Sequence, residues 1–382
     1  MGNMLNTFGL LSSLYITLFG ALFLFAASNK QYRNRYYLSL FFFNGFILFA
    51  GHVFSFFEYW KVFRYFDFAF LAALLMFYPL YFRYLNSAFG YKISSVKWPL
   101  HFAPAMVIGA LMLVSSYTFD WETYQSYMNN NLYGKPLDGL NSLILSVLYK
   151  GARAIHIVQI LFYNSVSLIY ILRTRKNIQN SFSNLDRFQL RYFYAVNFVF
   201  LIFMAIPGIY VTIIGRTPLT ENNYLLGTVA FLFTFLYLIL GMVGLRQKAF
   251  TESEIQKNEE VRILPIKEDK EYPVLKAELL KYFAELSPWQ NPNLNIWDVS
   301  KALASNRTYV SQLINKEFQC NFNTFVNNYR IGEAKMLLRN GKHSNSSLAH
   351  IAELAGFGST SSFVRVFKQR TGKTPVKYKE EG

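Results

Sequence analysis

Seven apolar runs, each long enough to cross a bilayer, most constrain how this 382-residue chain can fold. A transmembrane helix needs about 20 mostly apolar residues, because it must cover the hydrocarbon layer. Within the bilayer a helix also satisfies its own backbone polar groups, which irregular backbone cannot do. We therefore predict an all-α protein whose first part is a seven-helix transmembrane bundle. The seven windows are residues 5–27, 36–57, 65–85, 98–118, 143–172, 190–214 and 224–245.

The charged residues divide the chain into two parts of different character. Residues 1–245 contain 17 Lys and Arg and 7 Asp and Glu, whereas residues 246–382 contain 21 and 15. The first part has the composition of a membrane domain and the second that of a soluble one. We predict a charged cytoplasmic linker at 246–272, which Pro265 interrupts. A helix over 273–286 then precedes the soluble domain, and either a packing role or a dimer-forming role fits its apolar stripe.

The loops between the windows differ in positive charge. Loops that follow the first, third, fifth and seventh windows hold 13 Lys and Arg, against 4 to 6 in the opposite loops. Lys and Arg accumulate on the cytoplasmic side, so we predict the amino terminus outside and the carboxy-terminal part inside. Residues 26–28 (AAS) resemble a signal-peptidase site, but no Lys or Arg precedes the apolar run, which favours an uncleaved first span.

Residues 296–319 (IWDVSKALASNRTYVSQLINKEFQ) contain two short amphipathic stretches separated by a tight turn. Asn306 is placed to cap the second stretch, because its side-chain oxygen can accept from the free N–H groups of a first helical turn. Two short helices joined in this way form a helix-turn-helix unit, whose second helix can enter the DNA major groove. The apolar stripes consist of Ile296, Val299, Leu303, Val310, Leu313, Ile314 and Phe318.

The same pattern recurs after residue 347. Gly356 stands where a helix end needs a positive φ, and Ser359 or Thr360 can cap the helix that follows. A helix of about 16 residues, roughly 24 Å long, joins the two units and would hold their recognition helices near one ~34 Å turn of DNA apart. The second unit's apolar stripes consist of Leu348, Ile351, Ala355, Phe363, Val366 and Phe367.

Several short motifs in this region match a known family. IAELAGFGSTSSFVRVFKQRTGKTPVKYK contains a Gly-Phe turn, a Ser-Phe-x-Arg-x-Phe-Lys helix and a Thr-Gly-x-Thr-Pro ending, and YVSQLINKEFQCNFNTFVNNYRIGEAKMLL fits more loosely. Through these motifs, residues 296–380 resemble the DNA-binding domain of the AraC/XylS transcription regulators. The combination with an apolar amino-terminal part resembles the membrane-embedded members of that family, which implies a location in the bacterial inner membrane.

The resemblance implies that the exposed faces of both recognition helices bind double-stranded DNA. Arg can bond guanine bidentately, Gln can bond adenine, and Ser or Thr can serve either. The implied base contacts are Thr308, Ser311, Gln312, Thr360, Ser361, Ser362 and Arg365. The implied phosphate contacts, which position the protein without reading sequence, are Arg307, Lys316, Lys368, Arg370 and Lys373. Gln312 departs from the Arg that many members carry, so the first unit would bind less tightly or read a different base. Arg365, Thr308 and Ser311 as ordinary surface residues remain the alternative.

The membrane half shows no motif of an enzyme, a cofactor site or a metal site, and the chain is not expected to be an enzyme. Lys150, Arg153 and His156 lie at intervals of three residues within the fifth window. Ionisable residues in a membrane segment are costly and often functional. These three are therefore candidates for sensing a ligand, with Glu58 or Asp67 as counter-ions and residues 120–139 as a lid. The alternative is that they reach the lipid headgroups.

Together these features predict a one-component membrane regulator that couples an external or membrane signal, such as a small molecule or peptide, to promoter binding. A homodimer is one coupling that would fit, because confinement to the membrane raises the effective concentration of the DNA-binding domains. Three alternatives remain. The membrane half could be a plain anchor for a constitutive regulator, or a transporter with a regulatory tail. The tail could also bind a protein partner.

Overall fold

The protein is described by a computed structural model, which covers residues 2–89, 98–131, 139–185, 192–199, 201–202, 225–246, 272–339 and 346–381. The described residues form helices and short turns, with one isolated antiparallel bridge between Phe182 and Asn295 and no longer strand. The predicted all-α class is confirmed. Two compact units are present, one of Met1–Ile171 with Arg191–Glu252 and one of Leu172–Leu190 with Ser253–Gly382.

Most of the first unit consists of long apolar helices. These are α1 (Gly2–Ala26), α2 (Arg33–Phe56), α3 (Trp60–Ala88), α4 (Trp98–Thr118), the short α5 (Trp121–Asn131), α6 (Leu140–Gln179, whose end belongs to the second unit) and α7 (Leu225–Arg246). All except α5 are long and apolar enough to cross a membrane, so six of the seven predicted windows coincide with candidate spans. The remaining window, 190–214, lies largely outside the described residues, of which 192–199 and 201–202 are helical.

Small and polar residues bring α1 and α7 together. A Cβ added to Gly9 would lie 2.3 Å from the Gly227 carbonyl oxygen, so the two backbones are in direct contact. Beside them, the Ser13 and Thr234 hydroxyls are 2.9 Å apart, and the Gly227 N–H donates to the side chain of Asn6 at 2.7 Å. Close approach at small residues and hydrogen bonds between helices are the usual means of association in lipid, where apolar contact alone gives little preference.

Besides the end of α6, the described residues of the second compact unit form seven helices and one short 3-10 turn. The helices are α8 (Tyr272–Leu286), α9 (Ile296–Ala302), α10 (Arg307–Glu317), α11 (Phe322–Arg339), α12 (Leu348–Leu354), α13 (Thr360–Thr371) and α14 (Pro375–Glu380). This compact unit also includes Leu172–Leu190, which was predicted to belong to the membrane domain. Nearly all of the predicted linker, 246–272, lies outside the described residues. The predicted division at 245 and 272 stays a prediction.

Candidate nucleic-acid interface

The helices α9 and α10 form the first of two short helix pairs and coincide with the first predicted helix-turn-helix unit. Asn295 caps α9 in a reciprocal capping box with Asp298, and Asn306 caps α10 by accepting from the Tyr309 N–H at 3.1 Å. Between the helices, Ala304 adopts a positive φ of 47°, which closes the turn. Behind them lies a buried first core that also receives side chains from α8, the 3-10 turn and α11. Its members include Leu279, Phe283, Trp289, Val299, Val310, Leu313, Ile314, Phe325 and Val326.

The helices α12 and α13 form the second helix-turn-helix unit, which has the same arrangement of two capped helices joined by a tight turn. Ser347 caps α12 through the His350 N–H, and Ser359 caps α13 through the Ser362 N–H, both at 3.2 Å. Gly356 turns the chain between the helices with a φ of +78°. The helices pack on a second core made of Ile331, Ala334, Leu338, Ile351, Ala352, Ala355, Phe357, Phe363 and Phe367.

The helix α11 connects the two helix-turn-helix units and belongs to both of their cores. Its first half contributes Phe325 and Val326 to the first core, and its second half contributes Ala334 and Leu338 to the second core. Its 18 residues correspond to a rod of about 27 Å at 1.5 Å per residue. Because one continuous helix packs into both cores, α10 and α13, the predicted recognition helices, are held at a fixed spacing.

We expect Gly356→Ala to destabilise the second helix-turn-helix unit. A Cβ at this position would lie 2.2 Å from the Trp289 carbonyl oxygen, on a backbone with positive φ. The left-handed conformation alone costs about 1–2 kcal/mol for a non-glycine residue. Gly332→Ala is the matched control, because a Cβ there meets nothing within 4 Å in the middle of α11, and it should stabilise by about 0.5–1 kcal/mol. Hydrogen exchange of α12 and α13 measures both effects, and equal protection in the two variants would contradict this account.

The predicted base-contacting residues lie on α10 and α13, with different exposure. Four are exposed and three are half-buried, and none is fully buried. The exposed ones are Thr308, Gln312, Ser361 and Arg365; the half-buried ones are Ser311, Thr360 and Ser362. On α13 the guanidinium of Arg365 is 3.4 Å from the Ser362 hydroxyl. On α10 the side-chain oxygen of Gln312 accepts from the Tyr272 hydroxyl at 3.0 Å. Their roles in base contact stay a prediction.

The predicted phosphate contacts differ between the two units. In the second unit Lys368 and Arg370 are exposed, and Lys373 forms an ion pair with Glu381. In the first unit the ammonium of Lys316 lies 5.3 Å from the centre of the Tyr272 ring. Arg307 is half-buried, and its guanidinium donates to the Ser181 hydroxyl at 2.9 Å. Burial lowers the pKa of the Arg307 guanidinium from its ordinary value.

In the first helix-turn-helix unit, several of the predicted DNA contacts therefore touch flanking segments of the same compact unit. Tyr272, at the start of α8, contacts two of the predicted residues, and Ser181 contacts a third. Neither Tyr272 nor Ser181 was predicted from the sequence. Arg330 was not predicted either; it is 1% exposed and donates to the carbonyls of Trp289 and Asn291, both at 2.8 Å. The spacing of four residues from Val326 and to Ala334 places Arg330 on the buried face and could have identified it.

In the first compact unit, the three candidates for ligand sensing lie along α6 in three different environments. Lys150 is exposed, Arg153 is half-buried, and His156 is buried with its ring 5.7 Å from that of Tyr78. A different ionisable residue is better enclosed. Asp67 of α3 is fully buried, and its carboxylate accepts from the hydroxyls of Tyr124 (2.8 Å) and Tyr149.

The predicted lid, residues 120–139, is described in part. Its residues 120–131 include α5, which supplies Tyr124 to Asp67. The Arg64 guanidinium of α3 donates to two carbonyls next to this segment, that of Ser116 in the last turn of α4 (2.8 Å) and that of Phe119. The described residues contain no group of three side chains suited to hold a metal ion. The sensing role of Lys150, Arg153 and His156 stays a prediction.

Comparison with known proteins identifies the carboxy-terminal region. Residues 299–381 match a family described as a helix-turn-helix domain, of the AraC type. The chain is 36% identical over 89 residues to the regulatory protein PocR of Salmonella typhimurium. The aligned region covers 23% of this chain and 28% of that protein. It is 28% identical over 89 residues to the Msm operon regulatory protein of Streptococcus mutans, covering 23% and 31%. The chain thus spans less than a third of these relatives, and no solved structure matches it significantly.

Proposed function

We propose that this protein is a membrane-embedded transcription regulator that binds DNA in a sequence-specific manner and responds to an external or membrane signal. The observation that carries the proposal is the arrangement of two capped recognition helices, α10 and α13, held by α11. The match of residues 299–381 to a helix-turn-helix domain supports it. Residues 296–382 contain 13 Lys and Arg against 6 Asp and Glu, a balance that favours binding to phosphate.

The proposed chemistry of recognition divides between the two helices. On α13, Arg365 would bond the N7 and O6 atoms of a guanine, while Lys368 and Arg370 would hold phosphates. On α10, Gln312 would bond an adenine after it leaves Tyr272. Because the two helices are separated by a rigid rod, the target should consist of two half-sites about 10–10.5 bp apart.

Selection from a pool of random 40-bp duplexes tests the DNA-binding function. Purified full-length protein in detergent should enrich a two-part motif with the half-site spacing given above. The double variant Arg365→Ala, Lys368→Ala should lose that enrichment while the protein stays folded. A folded wild-type protein that enriches no motif, or a double variant that enriches the same motif equally, would contradict the proposal and favour a protein partner for the tail.

The membrane location rests on six apolar helices among the described residues, and the positive charge of the loops favours the amino terminus outside. A sensor and a plain anchor differ in what they require inside the bilayer. A buried carboxylate such as Asp67 is costly inside the bilayer and is not needed in an anchor. Its enclosure by two tyrosine hydroxyls therefore favours a sensing role for the first unit. A homodimer in the membrane is the assembly that would fit this role.

Removal of the two hydroxyls distinguishes sensor from anchor. Tyr124→Phe combined with Tyr149→Phe keeps both rings and deletes the hydrogen bonds to Asp67. For a sensor, we expect expression of the target genes to change by several-fold at an unchanged level of protein in the membrane. Unchanged expression would favour the anchor. Tyr117→Phe is the matched control, because that ring is 69% exposed.

A further inference from the structure

Residues 181–183, which follow α6 after Asn180, form a short segment bound to the first helix-turn-helix unit. The segment and that unit belong to the same compact unit of the chain. The N–H of Ser183 donates to the Leu294 carbonyl at 3.1 Å, and the N–H of Ile296 donates to the Ser181 carbonyl at 2.9 Å. These two bonds flank the antiparallel bridge between Phe182 and Asn295. The segment is thus paired, backbone to backbone, with the residues that enter α9.

Side chains of the DNA-binding helices hold the same segment. Arg330 of α11 donates to the Ser183 hydroxyl at 3.0 Å and to its carbonyl at 3.3 Å, and Asn323 donates to that carbonyl at 2.7 Å. Ser181 and Ser183 are each 2% exposed, and Phe182 is 6% exposed. A segment buried to this degree by polar contacts is a defined part of the unit rather than a loop that happens to lie nearby.

The segment also engages Arg307, the first residue of α10. The Ser181 hydroxyl accepts from its guanidinium at 2.9 Å, and the Phe182 ring packs 5.3 Å from the Trp297 ring. The guanidinium in turn lies over the Trp297 ring at 5.1 Å. A phosphate is a stronger partner for a guanidinium than a neutral hydroxyl. DNA and the segment therefore compete for Arg307, if that residue contacts phosphate.

We propose that residues 181–183 are a control segment that restrains DNA binding by the first helix-turn-helix unit, and that movement of α6 releases it. The proposal rests on the DNA-binding function proposed above and specifies how that function is regulated. Two features support release. The backbone pairing consists of a single bridge with two hydrogen bonds, far less than a stable sheet provides, so the segment is held mainly by side-chain contacts. The segment is also continuous with α6, whose residues up to Ile171 belong to the first unit.

A disulfide that locks the segment in place tests the proposal. Phe182 and Asn295 form the non-hydrogen-bonded pair of an antiparallel bridge, for which the Cα atoms are about 4.5 Å apart and thus close enough for a disulfide. The variant is full-length Phe182→Cys, Asn295→Cys in a Cys320→Ser background, which removes the one native cysteine. The probe is the duplex enriched from the random pool.

We expect the disulfide to form on oxidation and to weaken DNA binding at least tenfold, and reduction should restore binding. Failure of the disulfide to form, or equal or tighter binding in the oxidised form, would overturn the proposal. The single variants Phe182→Cys and Asn295→Cys, treated with the same oxidant, control for the lost ring and the lost helix cap. If no protein, locked or unlocked, enriches any duplex, the DNA-binding function fails and the control segment fails with it.

A second pair of variants tests the role of Arg307 without a disulfide. Ser181→Ala removes the hydroxyl that accepts from Arg307, so it should tighten binding to the duplex two- to fivefold. In an Arg307→Ala background the same substitution should have no effect, because the competition is absent. Asn177→Ala, at an exposed position near the end of α6, is the matched control. Equal effects of Ser181→Ala in both backgrounds would overturn the proposal.

Discussion

Phe363→Ala should destabilise the second helix-turn-helix unit by about 3–5 kcal/mol, the usual cost of removing a fully buried phenylalanine ring. Phe363 is completely buried, and its ring packs 5.3 Å from that of Phe357 and 5.5 Å from that of Phe367. A typical domain is stable by only about 5–15 kcal/mol, so the loss would leave α12 and α13 largely unprotected. Hydrogen exchange of these two helices in the full-length protein measures the effect.

A matched control for this prediction lies on α14. Val376 is 47% exposed, and Val376→Ala should change stability by no more than about 0.5 kcal/mol. Protection of α8 and α10 should change less than that of α12 and α13 in Phe363→Ala, because these helices pack on the first core. An effect of Phe363→Ala below about 1 kcal/mol would mean that the second core is not packed as described.

Arg365→Ala should weaken binding to the selected duplex by about 1–3 kcal/mol, or roughly 5- to 150-fold. The reason is the loss of a bidentate contact to one guanine. Replacement of that base pair should then have little further effect on the variant, whereas it should weaken the wild-type protein. Titration of fluorescent duplexes that differ at single base pairs provides the measurement.

Lys368→Ala, one turn further along α13, serves as the comparison for Arg365. As a phosphate contact it should weaken all duplexes equally and reduce the slope of log affinity against log salt by about one. A base-pair-specific loss in Lys368→Ala, or a uniform loss in Arg365→Ala, would reverse the assignment of these two residues. Both are exposed, so neither change should alter stability by more than about 0.5 kcal/mol.

The two helix-turn-helix units were predictable because their determinants are local. Asn306 and Ser359 are N-caps that indicate where helices begin, and Gly356 indicates a turn. Apolar stripes at helical spacing define the buried faces. The same holds for the candidate spans, since a long apolar run has few folding options in lipid. Six of them are confirmed as apolar helices long enough to cross a membrane, and the window at 190–214 lies largely outside the described residues.

The contacts that link distant parts of the sequence were not predictable. Ser183 and Arg330 are 147 positions apart, and Asp67 and Tyr149 are 82 apart. No periodicity relates such residues, because each follows the pattern of its own helix or loop. In the sequence Arg330 resembles an ordinary exposed arginine, yet in the structure its burial lowers its pKa to about 10. The short sequence that binds it, Ser-Phe-Ser at 181–183, carries no motif at all.

Genome-wide crosslinking of the intact protein to DNA in its own host tests the central claim most directly. The wild-type protein, recovered from the membrane fraction, should occupy a small number of sharp sites that share the two-part motif. The Arg365→Ala, Lys368→Ala variant, present at the same level in the membrane, should lose them. Featureless maps from both the wild-type protein and the unlocked Ser181→Ala variant would contradict a DNA-binding regulator held at the membrane.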